Sequence, residues 1–506
     1  MLFSSFVFVF AFLPVALGGY YLAARFGRAL AAAWLVAASL VFYGWWDPRF
    51  VLLLIASILY NYGVTQLIVR MEGRERLQSA ILTLGVAGDL AALCYYKYLF
   101  AIFEFLRLHH VADIPFAHVV LPLGISFFTF TQIGFLVDVR QGVTKDRSFL
   151  NYLLFVTFFP HLIAGPILHN REMMPQYADA KTYRFSSQNL AVGLTIFIIG
   201  LAKKCLLADP LSAIVGTGFS HPGSLTAIAA WDTALCYSLQ LYFDFSGYSD
   251  MAIGLARMFN VRFPLNFNSP FKARNVIDYW QRWHMTLTRF ITLYIYNPMA
   301  LTIVRRRAAR GQDVSRAAQS SLSGMAMMVA RPTIITMALA GIWHGAGLQF
   351  LVFGLLHGCY ITINHAMRIL RGGAVSREKD SLWAAVWKTL LTYCAVLVGF
   401  IFFRAASAGD AVDLLGSMTG MHGGPGQLPA LAHLAWVFCL YVTVWGMPNT
   451  QQIMIDYAPA LGKILPGPLP WLRWRETLWW SAAAACAASL AVMGMGGSTE
   501  FIYFQF

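Results

Sequence analysis

The chain predicts an all-α protein that crosses a membrane many times, and three observations predict it. Of its 506 residues, 58% are hydrophobic and only 12% charged, and mean hydropathy is +0.60; a soluble domain holds roughly 45–50% apolar and about 25% charged residues. The apolar residues fall in runs long enough for helices of about 20 residues, the length a bilayer core demands. Lysine and arginine sit in short loops between those runs. Dividing the apolar stretches gives about ten to thirteen membrane segments and leaves no room for a separate soluble domain. The formal charge of +14 is spread over loops as the positive-inside rule expects, with no contiguous basic domain, which argues against a nucleic-acid partner. Seven cysteines, Cys94, Cys205, Cys236, Cys359, Cys394, Cys439 and Cys486, form no Cys-x-x-Cys pair. They are expected to be small buried apolar side chains, neither a disulfide framework nor a metal site.

Residues 2–19 form the first apolar run. Ala16-Leu17-Gly18 resembles a signal-peptidase site, but no Lys or Arg precedes the run while Arg25 and Arg28 follow it. An uncleaved first helix with its N-terminus outside is therefore expected. Runs at 29–45, 50–69 and 78–100 follow, separated by Trp45-Trp46-Asp47-Pro48 and by Arg70-Met71-Glu72-Gly73-Arg74-Glu75-Arg76. Basic loops at 25–28, 70–76 and 145–147 recur at every second crossing, which places all three in the cytoplasm.

From Leu121 the character changes, because Leu121-Pro122-Leu123-Gly124-Ile125-Ser126-Phe127-Phe128 sets Pro and Gly inside apolar sequence. One reading is a helix broken at membrane depth, which needs protein or a water-filled cavity around the freed backbone; the other is a Pro-kinked helix. His161-Leu162-Ile163-Ala164-Gly165-Pro166 interrupts a second run in the same way. Between Tyr237 and Phe259, Asp244, Ser246, Ser249 and Asp250 stand among aromatics. Six residues put the two aspartates about 120° apart around a helix. Paired-carboxylate chemistry is therefore not expected, and hydrogen bonding to neighbouring helices is.

Ser269 ahead of Pro270 reads as an N-cap with proline at the first helical position, ahead of a helix through residues 274–290. On it Asp278 and Arg282 are four apart and can pair, and Trp280 and His284, also four apart, share a face. The result is an amphipathic or partly buried helix beside a polar cavity. The basic stretches at Arg305, Arg306, Arg307, Arg310 and Arg316 and at 368–379 are expected in the cytoplasm as orientation signals; the phosphate of a cytosolic cofactor is a further possible ligand there. The last spans fall at 383–403, 431–447 and 477–495. Arg473 and Arg475 flank the final one, which puts Phe501-Ile502-Tyr503-Phe504-Gln505-Phe506 outside. There is no internal repeat.

The apolar run from about Thr333 to Ile363 carries Trp343-His344-Gly345-Ala346-Gly347. An imidazole inside a membrane span is costly unless partnered or used. Apolar surroundings keep it neutral, the form that takes a proton from an attacking hydroxyl. A buried histidine that only satisfies a backbone carbonyl is the other reading, and the residues alone leave both open. On a continuous helix His357 lies about 220° around from His344 and His365 about 30 Å along, so a helix-borne metal site is not expected. No His-Glu-x-x-His, Gly-x-Ser-x-Gly or P-loop motif occurs, which removes the usual signatures of metalloproteases, serine hydrolases and nucleotide-driven pumps.

Several motifs together resemble the membrane-bound O-acyltransferase family. They are Phe159-Pro160-His161 with Ala164-Gly165-Pro166, Asp244-Phe245-Ser246-Gly247-Tyr248-Ser249-Asp250, Tyr279-Trp280-Gln281-Arg282-Trp283-His284, Trp343-His344-Gly345 and the ending Phe501 to Phe506. They run from about Leu121 to Tyr360 and again at the C-terminus, and resemble most the bacterial branch of alginate O-acetylation and teichoic-acid D-alanyl transfer membrane proteins. The resemblance implies a ring of tilted, partly re-entrant helices around a central tunnel. This is one integral-membrane domain over 1–506, with N-terminal helices at 1–115, a catalytic core at 116–366 and C-terminal helices at 367–506.

By the same resemblance His344 is the catalytic histidine, as general base or proton relay, and His284 the second histidine, positioning substrate or stabilising developing charge. Trp280, Trp283 and Trp343 would wall the tunnel against water, with Asp244, Ser246 and Arg282 also bordering it. No bound cofactor and no metal are implied; acetyl-CoA or another acyl thioester is the donor substrate. The implied function is transfer of an acyl group, acetyl first, from a cytoplasmic thioester to hydroxyls of an extracytoplasmic polysaccharide, in alginate-type O-acetylation at a bacterial inner membrane. Implied partners are membrane lipid and an extracytoplasmic polysaccharide-modifying acetyltransferase or periplasmic relay protein. D-alanyl transfer from a carrier protein is an alternative. So are a transporter or flippase of a glycan precursor, which also uses broken helices, and a non-catalytic scaffold. Where alginate-type members continue with a Leu-Arg-Asp-Tyr-like stretch and a Pro-Leu-Gly-Gly turn, this chain has Ile291-Thr292-Leu293-Tyr294-Ile295-Tyr296-Asn297-Pro298-Met299-Ala300. Cellulose, peptidoglycan or another envelope glycan is therefore as open as alginate.

Overall fold

Where no water is at hand, a backbone must pair its own N–H and C=O groups, and a helix does so within one segment. The computed structural model describes residues 1–108, 110–111, 119–370, 381–422 and 429–496. Among them the regular structure is helical, apart from isolated bridge residues such as Pro264, paired with Leu461. Six helical segments are long and apolar enough to cross a membrane: Arg49–Arg70, Glu75–Lys97, Ser187–Ser220, Leu322–His344, Leu348–Leu370 and Leu382–Arg404. Four shorter apolar helices join them, Phe8–Ala24, Arg28–Gly44, Leu431–Gly446 and Leu478–Gly494, at the low end of the expected number of spans. The packing is inverted relative to a soluble protein. Leu52, Leu84, Leu391 and Phe438 point outward while Asp244, Asp250, His284 and His357 are buried, as a lipid solvent requires.

A π turn leads into α1 (Leu13–Ala24), then α2 (Arg28–Gly44), α3 (Arg49–Arg70), α4 (Glu75–Lys97) and α5 (Leu99–Leu108). Before α6 (Ile125–Arg140) the chain is broken rather than kinked. Residues 119–122 have no regular structure, and Gly124 takes a left-handed φ of 74°. A Cβ on Gly124 would come 2.7 Å from the carbonyl oxygen of Leu162, so this turn is packed against the second interruption. That one follows α7 (Phe149–Thr157) and α8 (Phe159–Leu162), before α9 (Asn170–Ala178).

The buried centre is the pair α10 (Ser187–Ala202), which runs on through a π turn to α11 (Ser212–Ser220), and α12 (Ala227–Met258). Their backbones touch at reciprocal glycines: a Cβ on Gly200 would lie 2.6 Å from the Gly247 carbonyl, and one on Gly247 2.7 Å from that of Gly200. Small residues permit this close approach where lipid supplies no hydrophobic drive. At the same crossing Lys204 pairs with Asp244 at 2.7 Å and Asp209 at 2.8 Å, and Lys203 with Asp250 at 2.6 Å. Asp250 also accepts from Thr450 and Gln451 on α23 (Thr450–Ile453). The two aspartates serve separate partners on neighbouring elements, as their angular separation predicts.

Three expectations are overturned. The helix over 274–290 is two pieces, α13 (Val276–Trp280) and α14 (Met285–Ile291), broken at Gln281–His284. The passing strand of chain takes the backbone bonds a helix would keep: Asn268 N–H donates to Arg282 C=O, and Met285 N–H to Asn266 C=O. Trp280 accordingly ends α13 and His284 precedes α14, so the two do not share a helix face. Ser269 is itself left-handed and caps nothing; Asn275 caps α13. The run from Thr333 to Ile363 is likewise a hairpin, α18 (Arg331–His344) and α19 (Leu348–Leu370), turning at Gly345–Gly347. A Cβ on Gly341 would fall 3.0 Å from Gly354 Cα, which is how closely its arms pack.

Between α14 and α18 lie a π turn, α15 (Asn297–Ala309), α16 (Arg316–Ser320), α17 (Leu322–Met325) and a second π turn. The chain ends with α20 (Leu382–Arg404), α21 (Ala408–Met418), α22 (Leu431–Gly446), α23 and α24 (Leu478–Gly494). Only Cys205 and Cys236 are buried; the other five cysteines are exposed on helix faces, where a thiol is apolar enough for lipid. The tail Phe501 to Phe506 and most of the basic stretch at 368–379 lie outside the described residues.

Candidate active site

Because the 333–363 run is a hairpin, His344 is the last residue of α18, at its tip. The final carbonyls of a helix lack intrahelical donors, and here the end of α4 supplies them. Lys97 Nζ donates to the Trp343 carbonyl and, at 3.0 Å, to that of His344, while Tyr98 OH donates to Ile342 at 2.9 Å. A cation at a helix C-terminus also opposes the negative end of the dipole. The ring of His344 is buried against Trp343, Phe353 and Phe403, and Trp343 stacks on Phe130 at 4.9 Å.

His284 occupies the break between α13 and α14 with φ 42°, a conformation that costs a non-glycine residue about 1–3 kcal/mol. Its Nδ1 lies 3.0 Å from Asn266 Oδ1. The same oxygen accepts from the Thr286 hydroxyl at 2.8 Å and the Thr286 N–H at 3.4 Å, while Asn266 Nδ2 donates to Ser249 on α12 at 3.0 Å. Asn266 Oδ1 is an acceptor only, so His284 carries its proton on Nδ1 and the Nε2 lone pair is the basic edge of the ring. Phe245 meets that ring edge-on at 4.8 Å.

Three cavities lie about these elements, and the first two share His344. The first, about 250 Å³, is bordered by Trp46, Lys97, the broken stretch Leu121 to Phe127, Ile163, Trp343 and His344. A second, of only about 20 Å³, holds both His284 and His344 among Trp280, Trp283, Phe353 and Phe403. On the far side of α13 a third, about 960 Å³, is lined by Arg274, Asp278, Gln281, Asn364, Arg368 and Lys388. The two histidines thus share a narrow aromatic chamber next to the first cavity, and both breaks noted in the sequence border that first cavity. A neutral imidazole there can take up and return a proton while aromatic walls keep water away.

His344, His284, Trp280, Trp283 and Trp343 are brought together. Asp244 is not with them; it lies at the Lys204 crossing, bordering a separate space of about 10 Å³. Ser246 is buried on the same helix and lines none of these cavities. Arg282 pairs with Asp278 at 2.7 Å, as its spacing predicts, and reaches the Asn268 carbonyl. Residues unmarked by the sequence reading also serve the chamber. Lys97 holds the backbone carbonyl of His344 and Asn266 meets the ring of His284; His357, considered in the sequence only as a metal ligand, is fully buried and accepts from Trp280 Nε1 at 3.2 Å. A lone lysine ending an apolar run and an asparagine between Leu265 and Phe267 were the available signals. Among the described residues one group could hold a metal ion, Asp232, Cys236 and His433, and it borders none of the three cavities.

The sequence model of the membrane-bound O-acyltransferase (MBOAT) family matches residues 94–312. The chain is 36% identical over 450 residues to a peptidoglycan O-acetyltransferase of Helicobacter pylori, covering 84% of this chain and 80% of that one. It is also 36% identical over 410 residues to a probable alginate O-acetylase of Pseudomonas aeruginosa, covering 80% and 72%. A teichoic acid D-alanyltransferase of Bacillus subtilis is 25% identical, covering 56% and 68%.

Proposed function

Because the chain belongs to the membrane-bound O-acyltransferase family, we propose that it carries an acetyl group from cytoplasmic acetyl-CoA to hydroxyls of an extracytoplasmic envelope polysaccharide at the bacterial inner membrane. Membership makes it an O-acyltransferase and a multi-pass membrane enzyme; donor, acyl group and glycan are our reading. Acetyl is favoured over D-alanyl because the O-acetylation relatives match at 36% across four-fifths of the chain and the D-alanyltransferase at 25% across 56%. Transfer is direct or by way of a periplasmic relay protein or partner acetyltransferase.

The observation that carries the reading is that His344 lines both the first cavity and the chamber it shares with His284. With the basic loops taken as cytoplasmic, α18 and α4 both run outward and end at the first cavity, which then faces the envelope. The third cavity faces the cytoplasm, where Arg274, Arg368 and Lys388 suit the phosphates of a CoA-type donor. His344 takes the proton of the acceptor hydroxyl as its oxygen attacks the thioester carbonyl carbon; the C–S bond breaks and the proton passes to the departing thiolate. His284, basic at Nε2, accepts from the acceptor hydroxyl or from the protonated His344 and so positions one or stabilises the other. Space of about 20 Å³ between them is roughly one water, so the rings of Trp280 and Phe353 part when substrate enters.

The test is ester-linked acetate on the envelope polysaccharide of cells making wild-type or His344→Ala protein at equal membrane levels. Loss of ester supports His344 as the base. Retained ester sinks that role and moves a scaffolding role to the front.

A further inference from the structure

Away from the histidine chamber, Asp232 in the second turn of α12 and Cys236 one turn on face His433 in the first turn of α22. His433 Nε2 lies 3.0 and 3.1 Å from the two oxygens of Asp232, Cys236 Sγ 3.6 Å from His433 Nε2, and Cys236 Sγ 3.6 Å from Asp232 Oδ1. The Cys236 S–H donates to Asp232 Oδ1 and His433 Nε2 faces both carboxylate oxygens, so a sulfur, a ring nitrogen and a carboxylate oxygen converge at one point between the two helices.

A cation among them satisfies all three donors. Tetrahedral zinc, with bonds of about 2.0–2.2 Å to N and O and about 2.3 Å to S, holds its N and O ligands about 3.3 Å apart and its S about 3.5–3.6 Å from either. The three edges measured here match that triangle to a few tenths of an ångström. We propose that Asp232, Cys236 and His433 form one face of a binding site for a zinc-class divalent cation, with the fourth corner left to water or an added ligand. A thiolate with an imidazole and a carboxylate selects a borderline-soft ion of this kind over magnesium or calcium, which take oxygen donors. Binding exchanges the Cys236 thiol proton for the metal, releasing one proton as the S–metal bond forms.

Asp232 and Cys236 are buried, whereas the His433 side chain keeps 18% exposure, so the ion enters along His433. None of the three residues borders the chamber of His284 and His344, so the site is a clasp between α12 and α22 and not a second acyl-transfer centre. It lies close in sequence to Ser238, whose hydroxyl meets Tyr393 OH at 2.6 Å and Tyr441 OH at 2.9 Å and joins α12 to α20 and α22. The proposal does not rest on the acetyl-transfer reading.

The test uses untagged full-length protein in detergent, stripped with a chelator and dialysed against zinc or cobalt(II). Stoichiometric zinc in wild type and in Cys205→Ser, lost in Cys236→Ser and His433→Ala, is the expected result. Cobalt in the wild-type protein should show a thiolate-to-metal charge-transfer band that disappears in Cys236→Ser. Zinc in wild type no higher than in Cys236→Ser, or a cobalt spectrum without that band, overturns the proposal. The wild-type cobalt spectrum needs no variant to fold.

Discussion

Replacing Lys97 by Met isolates the support of His344, because the substitution keeps most of the stem and removes the ammonium that holds the last two carbonyls of α18. Each hydrogen bond from a charged donor is worth about 1.5–3 kcal/mol, and the charge at the helix end adds about 0.3–1 kcal/mol. The adjoining cavity of about 250 Å³ admits water that takes over much of this, leaving a net loss of about 2 kcal/mol for the competent orientation of the ring. At 1.4 kcal/mol per tenfold, transfer should fall about thirtyfold. Tyr98→Phe removes one neutral bond, to Ile342, worth about 1 kcal/mol, and should fall about fivefold. The assay is the rate of ester-acetate accumulation at matched protein levels in the membrane. Wild-type rates for Lys97→Met, alongside an inactive His344→Ala, would refute the idea that the α4 terminus sets the histidine in place.

Asn266→Ala leaves the buried N–H of His284 without its partner, at about 1–3 kcal/mol, and should cost activity about five- to hundredfold; Asn266→Asp, which keeps the acceptor oxygen, should recover part of it, and equal rates for the two would discount the tautomer argument. Lys204→Met strands Asp244 and Asp209 in the interior and should destabilise by about 3–5 kcal/mol, read as lost folded protein in detergent, with Asp244→Asn restoring part. Gly247→Ala forces α10 and α12 apart and should cost about 1–3 kcal/mol, measured as a lowered thermal midpoint; an unchanged midpoint would show that the crossing can give way.

The transferable parts of the site were the residues whose type is informative alone. Trp343-His344 and Trp283-His284 stand out because imidazoles inside apolar runs are rare and expensive, and both reach the chamber. Asp244 and Ser246 stand out for the same reason yet lie elsewhere, because polarity in a membrane helix marks partners as readily as chemistry; here the partner is Lys204, forty residues upstream on a different helix. Arg282 keeps the local partner its spacing predicts, Asp278, since an i,i+4 pair survives at the edge of a broken helix.

The sequence by itself determined the membrane setting, the run of helices and the points at which Pro and Gly interrupt them, because hydrophobicity and backbone permissiveness are properties of single residues and short windows. Only the tertiary structure decided that two apparently continuous helices are broken beside the histidines. At His284 the competing bonds come from Asn266 and Asn268, a separate stretch of chain. At His344 the close packing of α18 on α19 and the cap from Lys97 turn a span into a hairpin. Both depend on groups far away in sequence, and their energies exist only once the chain has folded around them.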